Sequence, residues 1–404
     1  MYDVREALGI KIESPYFEEA YAKALAEEGL PFWLTEDYIR ELNDKYAVLP
    51  KTYEMVKDAL PHVVAVPELC LLAKTVYHML SNKETFGKTF TAFEMPQVPE
   101  GGDAVAYECA LLFAVLGHIP ASHDELAARG VDEDVISDSL RWTDCFFAEA
   151  CQKLGRLAYP KEYFAAYSTG IYVKTLIIGR LRFEVAESAT HPVRIYRNKA
   201  GEILPLMDDV TLHAQGHVLG SFGTENEEGS YFATVEETDD AYLGYTVDPV
   251  TRLARKERIR LPKSEWTEIY KKGMAVVKVH IPVGGKLDSL ACEASYARAK
   301  ELLPRCYPEY HFTCFLISCW MLSPLFKEIL PPTSNIVTFA DRYTVFPVKN
   351  DAKDAFLYVF GIRGKEIKDI DFAALPEENS LQRGIKKEAL KGNFAHQFGG
   401  YIPW

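Results

Sequence analysis

The chain has 404 residues, of which 48% are hydrophobic and 25% charged, an ordinary globular composition with room for two domains. Its 22 Phe, 23 Tyr and 5 Trp exclude a disordered chain and mark extensive cores or apolar pockets. A net charge of −13 argues against a nucleic-acid partner, which needs a basic face.

The start, MYDVREALGIKIESP, lacks the basic and apolar regions of a secretory signal. No continuous apolar window of membrane-spanning length is read; VVAVPELCLLA is short and carries Pro67 and Glu68, so no membrane partner is expected. The 8 cysteines are scattered without a CxxC pair, which fits reduced thiols in a cytoplasmic protein.

Residues 1–155 read as a helical domain, with apolar positions at helical spacing in Pro15–Glu28, Leu34–Lys45, Pro50–Leu60, Val66–Asn82, Asp103–Leu116 and Val135–Leu154. Within it DELAARGVDEDVISDSLR reads as two helices joined by a turn, too acidic for DNA and therefore a packing motif. From about Tyr172 the pattern changes to strands: TLIIGRLRFEV, PVRIYRNKAGEILPL, DVTLHAQGHVLG and DAYLGYTVDPVTRLARKERIRL, with NKAG and DPVT as turns. His213 and His217 in HAQGH lie on neither a helix nor beside a third ligand, so no metal is expected. Further on come a short helix over Ser264–Lys272, strands over Phe312–Trp320, Tyr343–Val348 and Ala355–Phe360, a helical stretch over Ser323–Phe339, and a last helix from a Ser380 cap to Gly392.

The most informative stretch is Ala275–Lys300. Val276, Val277, Val279 and Ile281 form a β-branched strand that Pro282 ends. Gly284-Gly285 permits backbone geometries closed to other residues, and Asp288 or Ser289 can cap a helix whose small face is Ala291, Ala294, Ser295 and Ala299. Free N–H groups at such a helix start form a seat for an anion, for instance a cofactor diphosphate. A nucleotide P-loop is excluded, because His280 stands where a glycine is needed and Leu287 follows Lys286. The dinucleotide fingerprint also fails, for want of a third glycine.

The runs VHIPVGGKL with C-x-x-SY, CFLISCWMLSP, LPPTSNIVTF and LP-x-x-x-SLQR, lying in blocks 279–296, 314–325, 330–343 and 375–383, resemble a family of bacterial two-domain acyltransferases. IIGRLRFE (177–184) and ETDDAYLGYTVDP (237–249) are similar to further blocks of that family. The resemblance implies an α+β fold: a helical N-terminal domain (1–155), then a GNAT-like mixed α/β acyltransferase domain (156–404, core 274–404). It also implies acetyl-CoA or another acyl-CoA as co-substrate, a small-molecule amine as acceptor, and direct attack on the thioester. The usual GNAT diphosphate loop, Q/R-x-x-G-x-G/A, is here V-G-G-K-L, with two glycines and a cation at altered spacing.

On that likeness, Val283, Gly284, Gly285, Lys286 and Leu287 form the cofactor loop, and Asn335 either caps a helix or holds pantetheine amides. Acyl transfer needs a neutral amine, a polarised carbonyl and a proton for the departing thiolate. GNAT enzymes polarise the carbonyl with a strand N–H, here within Val279–Val283. His280 is the leading base, or else a histidine bonded within the fold. Ser318 and Cys319 close the next strand and could protonate the thiolate or accept an acyl group, Cys319 being otherwise a small core residue. Tyr343 is a candidate acid or a packing aromatic. The block holding Glu237, Asp240, Tyr242 and Tyr245 could receive a cationic amine, or be a charged hairpin in water. The rival function is a non-catalytic acyl-CoA or metabolite-binding protein; a scaffold is a third reading.

Overall fold

A computed structural model describes residues 4–10, 15–82, 95–160, 173–282 and 284–404. It has the α+β architecture, in two compact units, Met1–Ile178 and Gly179–Trp404. The first unit ends with the strand β1 (Thr175–Ile178), where Ser139 Oγ accepts from the Ile177 amide at 2.8 Å.

The first unit contains α1 (Val4–Leu8), α2 (Pro15–Ala26), α3 (Glu36–Tyr46), α4 (Tyr53–Val64), α5 (Pro67–Ser81), α6 (Ala104–Gly117), α7 (Ile119–Ala128), α8 (Glu133–Leu140) and α9 (Trp142–Leu154). Asp103 caps α6 by accepting from the amides of Val105 and Ala106. Together α6 and α7 make a run, Ala104–Ala128, that is long and apolar enough to cross a membrane by length and composition alone. In this fold 67% of its most apolar window is buried, and α6 packs against α4 and α5. Gly117 lets it approach closely, since a Cβ there would stand 3.0 Å from the rings of Trp33 and Tyr77. The single helix read over Val135–Leu154 breaks at Arg141, which ends α8 and begins α9 while its Nε donates to the Ala47 carbonyl.

The second unit contains β2 (Leu181–Ala186), β3 (Val193–Asn198), β4 (Ile203–Met207), β5 (Val210–Leu212), β6 (Tyr231–Ala233), β7 (Glu236–Glu237), β8 (Ala241–Val247), β9 (Ala254–Pro262), β10 (Trp266–Tyr270), β11 (Val276–His280), α10 (Ser289–Cys306), β12 (Cys314–Cys319), α11 (Leu325–Ile329), α12 (Asn335–Ala340), β13 (Thr344–Pro347), α13 (Asp354–Phe360), α14 (Ser380–Ala389) and β14 (Phe398–Pro403). One sheet runs β2-β11-β12-β14-β13 within this unit; its β11–β12 pair is parallel and joined by α10, and its other pairs are antiparallel. A second, antiparallel sheet runs β10-β3-β4-β8-β7, with β9 on β8. Ile195, Met207, Val276, Leu316, Phe346 and Tyr401 share one core between the two sheets. Alternation turns Phe183 and Phe315 to the opposite face of the first sheet, where their rings meet Tyr296 of α10.

Three sequence expectations are corrected here. Ser264–Lys272, read as a helix, is β10, because Trp266 and Tyr270 bury against β3 and Glu268 reaches Arg194 across the pair. Ala355–Phe360, read as a strand, is α13, which Gly361 ends in the left-handed conformation. The stretch Ser323–Phe339 divides into α11 and α12 around Pro331 and Pro332.

Candidate active site

The glycine loop stands where β11 leads into α10. Gly284 and Gly285 adopt φ of 83° and 71°, left-handed values that only glycine takes without strain. Leu287 is buried and anchors the loop, and the Asp288 side chain caps α10 by accepting from the Ala291 amide at 2.9 Å. The amides of Gly284, Gly285, Lys286 and Leu287 donate to no group among the described residues. The Lys286 side chain is exposed. Val283 lies outside the described residues. The expected small face of α10 holds for Ser295 and Ala299, with Cys292 and Tyr296 beside them; Ala294 is exposed instead.

The loop borders a gap in the sheet. β11 and β12 pair at Val277 with Phe315 and at Lys278 with Leu316, and the ladder between them goes no further. On their outer sides both strands stay paired to the end, His280 with Arg182 on β2 and Cys319 with Phe398 on β14. The parallel strands thus open from one another towards the end at which the loop sits.

Polar side chains gather on one face beside this opening. Register places Lys278 opposite Glu184, and His280 opposite Arg182, on the same face. Glu184 bridges two of them: one oxygen lies 3.0 Å from Lys278 Nζ, the other 2.9 Å from His280 Nε2. Burial works against ionisation of Glu184, but the His280 hydrogen bond and the Lys278 charge prevail and bring its pKa down to about 2. An ionised Glu184 that accepts from Nε2–H leaves the Nδ1 lone pair of His280 free to take a proton. One step along β12 on this face stands Ser318, whose Oγ lies 2.9 Å from His191 Nε2. Burial, with the Lys278 charge adding to it, lowers the His191 pKa to about 4, so its ring is neutral at pH 7.

The four catalytic candidates are therefore divided between two faces. His280 and Ser318 share the polar face. Cys319 and Tyr343 are buried on the other side, where the Tyr343 hydroxyl is bonded to that of Tyr296. Burial pushes the Cys319 thiol up to about 12 and the Tyr343 phenol well above its ordinary value, so both stay protonated at pH 7. Asn335 is exposed in the first turn of α12, which Ser334 caps, accepting from the Val337 amide at 3.2 Å.

The acidic block lies on the second sheet. Glu237 pairs with Lys263 at 2.8 Å, and Asp240 pairs with Arg260. Tyr242 packs on Tyr196 beneath the Lys263 ammonium, and Tyr245 packs on Tyr231. These carboxylates are committed to cations of their own hairpin. His213 Nε2 approaches Asn226, and the His217 ring packs on His396.

Glu184, His191 and Arg180, whose guanidinium holds the loop, were not singled out in the sequence. Glu184 could be placed only through its pairing with β11, 94 residues from Lys278 in the chain.

Residues 175–402 match the GNAT-like C-terminal domain family. The match spans more than half of the chain, and the protein belongs to that family. No curated protein matches the sequence. Among solved structures the fold is similar to an acyltransferase in complex with decanoyl-CoA and teicoplanin, at 18% identity and a TM-score of 0.60 over 99% of this chain and 98% of that one. It is similar also to an acyltransferase in complex with CoA and 10C-Teicoplanin, at 18% identity and a TM-score of 0.61 over the same shares of the two chains. Both likenesses extend over the helical unit as well as the GNAT-like one.

Proposed function

We propose that the protein is an acyl-CoA-dependent acyltransferase that moves an acyl group, most simply acetyl, from CoA to an amine on a small molecule. One observation carries the reading: amides of the glycine loop at the start of α10 that donate to nothing among the described residues stand beside parallel strands that have opened, with an ionised Glu184 and His280 on the adjoining face. Amides at a helix start suit the diphosphate of CoA, and the opening suits an extended arm that carries amides of its own. The similar structures, bound to decanoyl-CoA or CoA, support a CoA thioester and widen the choice to longer acyl chains. Their glycopeptide, teicoplanin, supports an acceptor outside the protein class.

In this reading the acceptor is bound as a neutral amine, and its nitrogen adds to the thioester carbonyl while a strand N–H bears the developing oxyanion. As the nitrogen becomes positive, His280, oriented by Glu184, takes one proton from it, and the C–S bond breaks as the tetrahedral state collapses. The proton held on His280 goes to the thiolate, directly or through the Ser318 hydroxyl that His191 orients. The products are an amide and CoA thiol, with no acyl-enzyme. The cysteines form no disulfide among the described residues, which supports a reducing compartment such as the cytoplasm.

Thermal shift with acetyl-, octanoyl- and decanoyl-CoA tests the binding, since a ligand of the native state raises stability by mass action. Thiol release over a panel of amines, including glycopeptide amines, tests turnover. The expected result is stabilisation by at least one thioester and thiol release that depends on an amine. Stabilisation without release for any amine would reduce the protein to a CoA binder, and no stabilisation at all would remove the reading.

A further inference from the structure

The β2 strand is preceded by a tight turn, Gly179-Arg180, whose side chain reaches across to the glycine loop. Arg180 Nε donates to the Lys286 carbonyl at 2.9 Å, one terminal nitrogen to the Pro282 carbonyl at 3.1 Å, and the other to the Gly285 carbonyl at 3.3 Å. The turn itself is fixed to α10. The Arg180 amide donates to Ser295 Oγ at 2.8 Å, and that hydroxyl donates to the Ala291 carbonyl at 2.8 Å. Gly179 has φ of 62°, and a Cβ there would stand 2.8 Å from Ser295 Oγ, so the contact requires glycine.

A trans peptide directs its C=O and the following N–H to opposite sides. Carbonyls of Gly285 and Lys286 that are drawn to one guanidinium therefore turn the amides of Lys286 and Leu287 away from it. Those amides donate to nothing among the described residues. The planar fork of an arginine can satisfy carbonyls in three directions at once, which an ammonium on a flexible stem does not reproduce.

We infer that Arg180 is the positioning residue of the diphosphate site: it holds the Pro282, Gly285 and Lys286 carbonyls so that the amides of Lys286 and Leu287 face the anion before it arrives. The inference rests on the functional reading above, and gives the unusual V-G-G-K-L loop a means of presenting amides without the standard glycine spacing. Its energetic logic is preorganisation, in which the loop is ordered in advance and binding does not bear that loss.

The test measures CoA affinity by calorimetry, and hydrogen exchange of the Lys286 and Leu287 amides with and without CoA, in the full chain. Wild type, Arg180→Lys and Arg180→Ala are compared; the lysine variant keeps the charge and the aliphatic stem should the alanine variant fold poorly. Both variants are expected to bind CoA at least about tenfold more weakly, and to lose the protection that CoA gives these amides in the wild type. Restoration of affinity by Arg180→Lys would show a direct ion pair with phosphate and overturn the positioning role. Wild-type affinity in both variants would overturn it equally. A wild type that binds no CoA would instead remove the functional reading, and this inference with it.

Discussion

At the residue scale, Glu184 decides what His280 can do. A histidine 39% exposed at a strand end has no fixed orientation of its own; the carboxylate at 2.9 Å supplies one, and Lys278 at 3.0 Å keeps that carboxylate ionised. Arrangements in which a carboxylate orients an imidazole serve proton transfer on unrelated folds. If His280 is the base, His280→Ala lowers turnover by about 10²-fold or more, the usual share of general base catalysis. Glu184→Gln lowers it too, because the amide keeps the shape but loses the charge. Calorimetry with CoA checks the specificity of both effects, with affinity expected to change by less than about twofold. Turnover unchanged in His280→Ala would transfer the base role to another group on that face.

At the scale of the element, α10 carries the site through its first turn. Asp288 satisfies the Ala291 amide at 2.9 Å, and Arg342 bonds the Ser289 carbonyl at 3.1 Å and Glu293 at 3.0 Å. Asp288→Ala is expected to cost about 1 kcal/mol of stability, the usual value of an N-cap. Urea unfolding measures it, and an unchanged midpoint would show that Arg342 holds the turn alone. β11 and this cap were legible in sequence because β-branched runs, a stopping proline and a capping aspartate are local signals. β10 and α13 were misread, since SEWTEIYKK has helical spacing and DAFLYVF has strand composition, and both were decided by what they pack against. β14 escaped notice because Gly399 and Gly400 weaken its pattern. Those glycines make room instead: a Cβ on Gly399 would stand 2.2 Å from the Phe346 ring. The pairing of Glu184 with His280 spans 96 residues, and no local pattern encodes a register.

At the scale of the whole molecule, buried neutral histidines set the response to acid. Burial lowers the pKa of His118, His191 and His217 to about 4, and neighbouring positive or titratable groups add to the effect. The unfolded chain takes up protons near pH 6.5, before the folded one does, so stability falls as protons are bound to the unfolded state. The contribution of these three residues is complete above pH 6.5 and is lost as the pH falls towards 4. Calorimetry between pH 7.5 and 4 is expected to show Tm falling in both units, His118 acting in the first and His191 and His217 in the second; a constant Tm would contradict it. The separation of β11 from β12 beyond Lys278 and Leu316 bears on the molecule as a whole in another way. Two strand rims confront each other across a slot that lacks its rungs, a defect most folded proteins conceal. If the proposed thioester binds here, its extended arm fits that slot and supplies the rungs the two rims lack, so the guest that brings the acyl group would also finish the weave of its host.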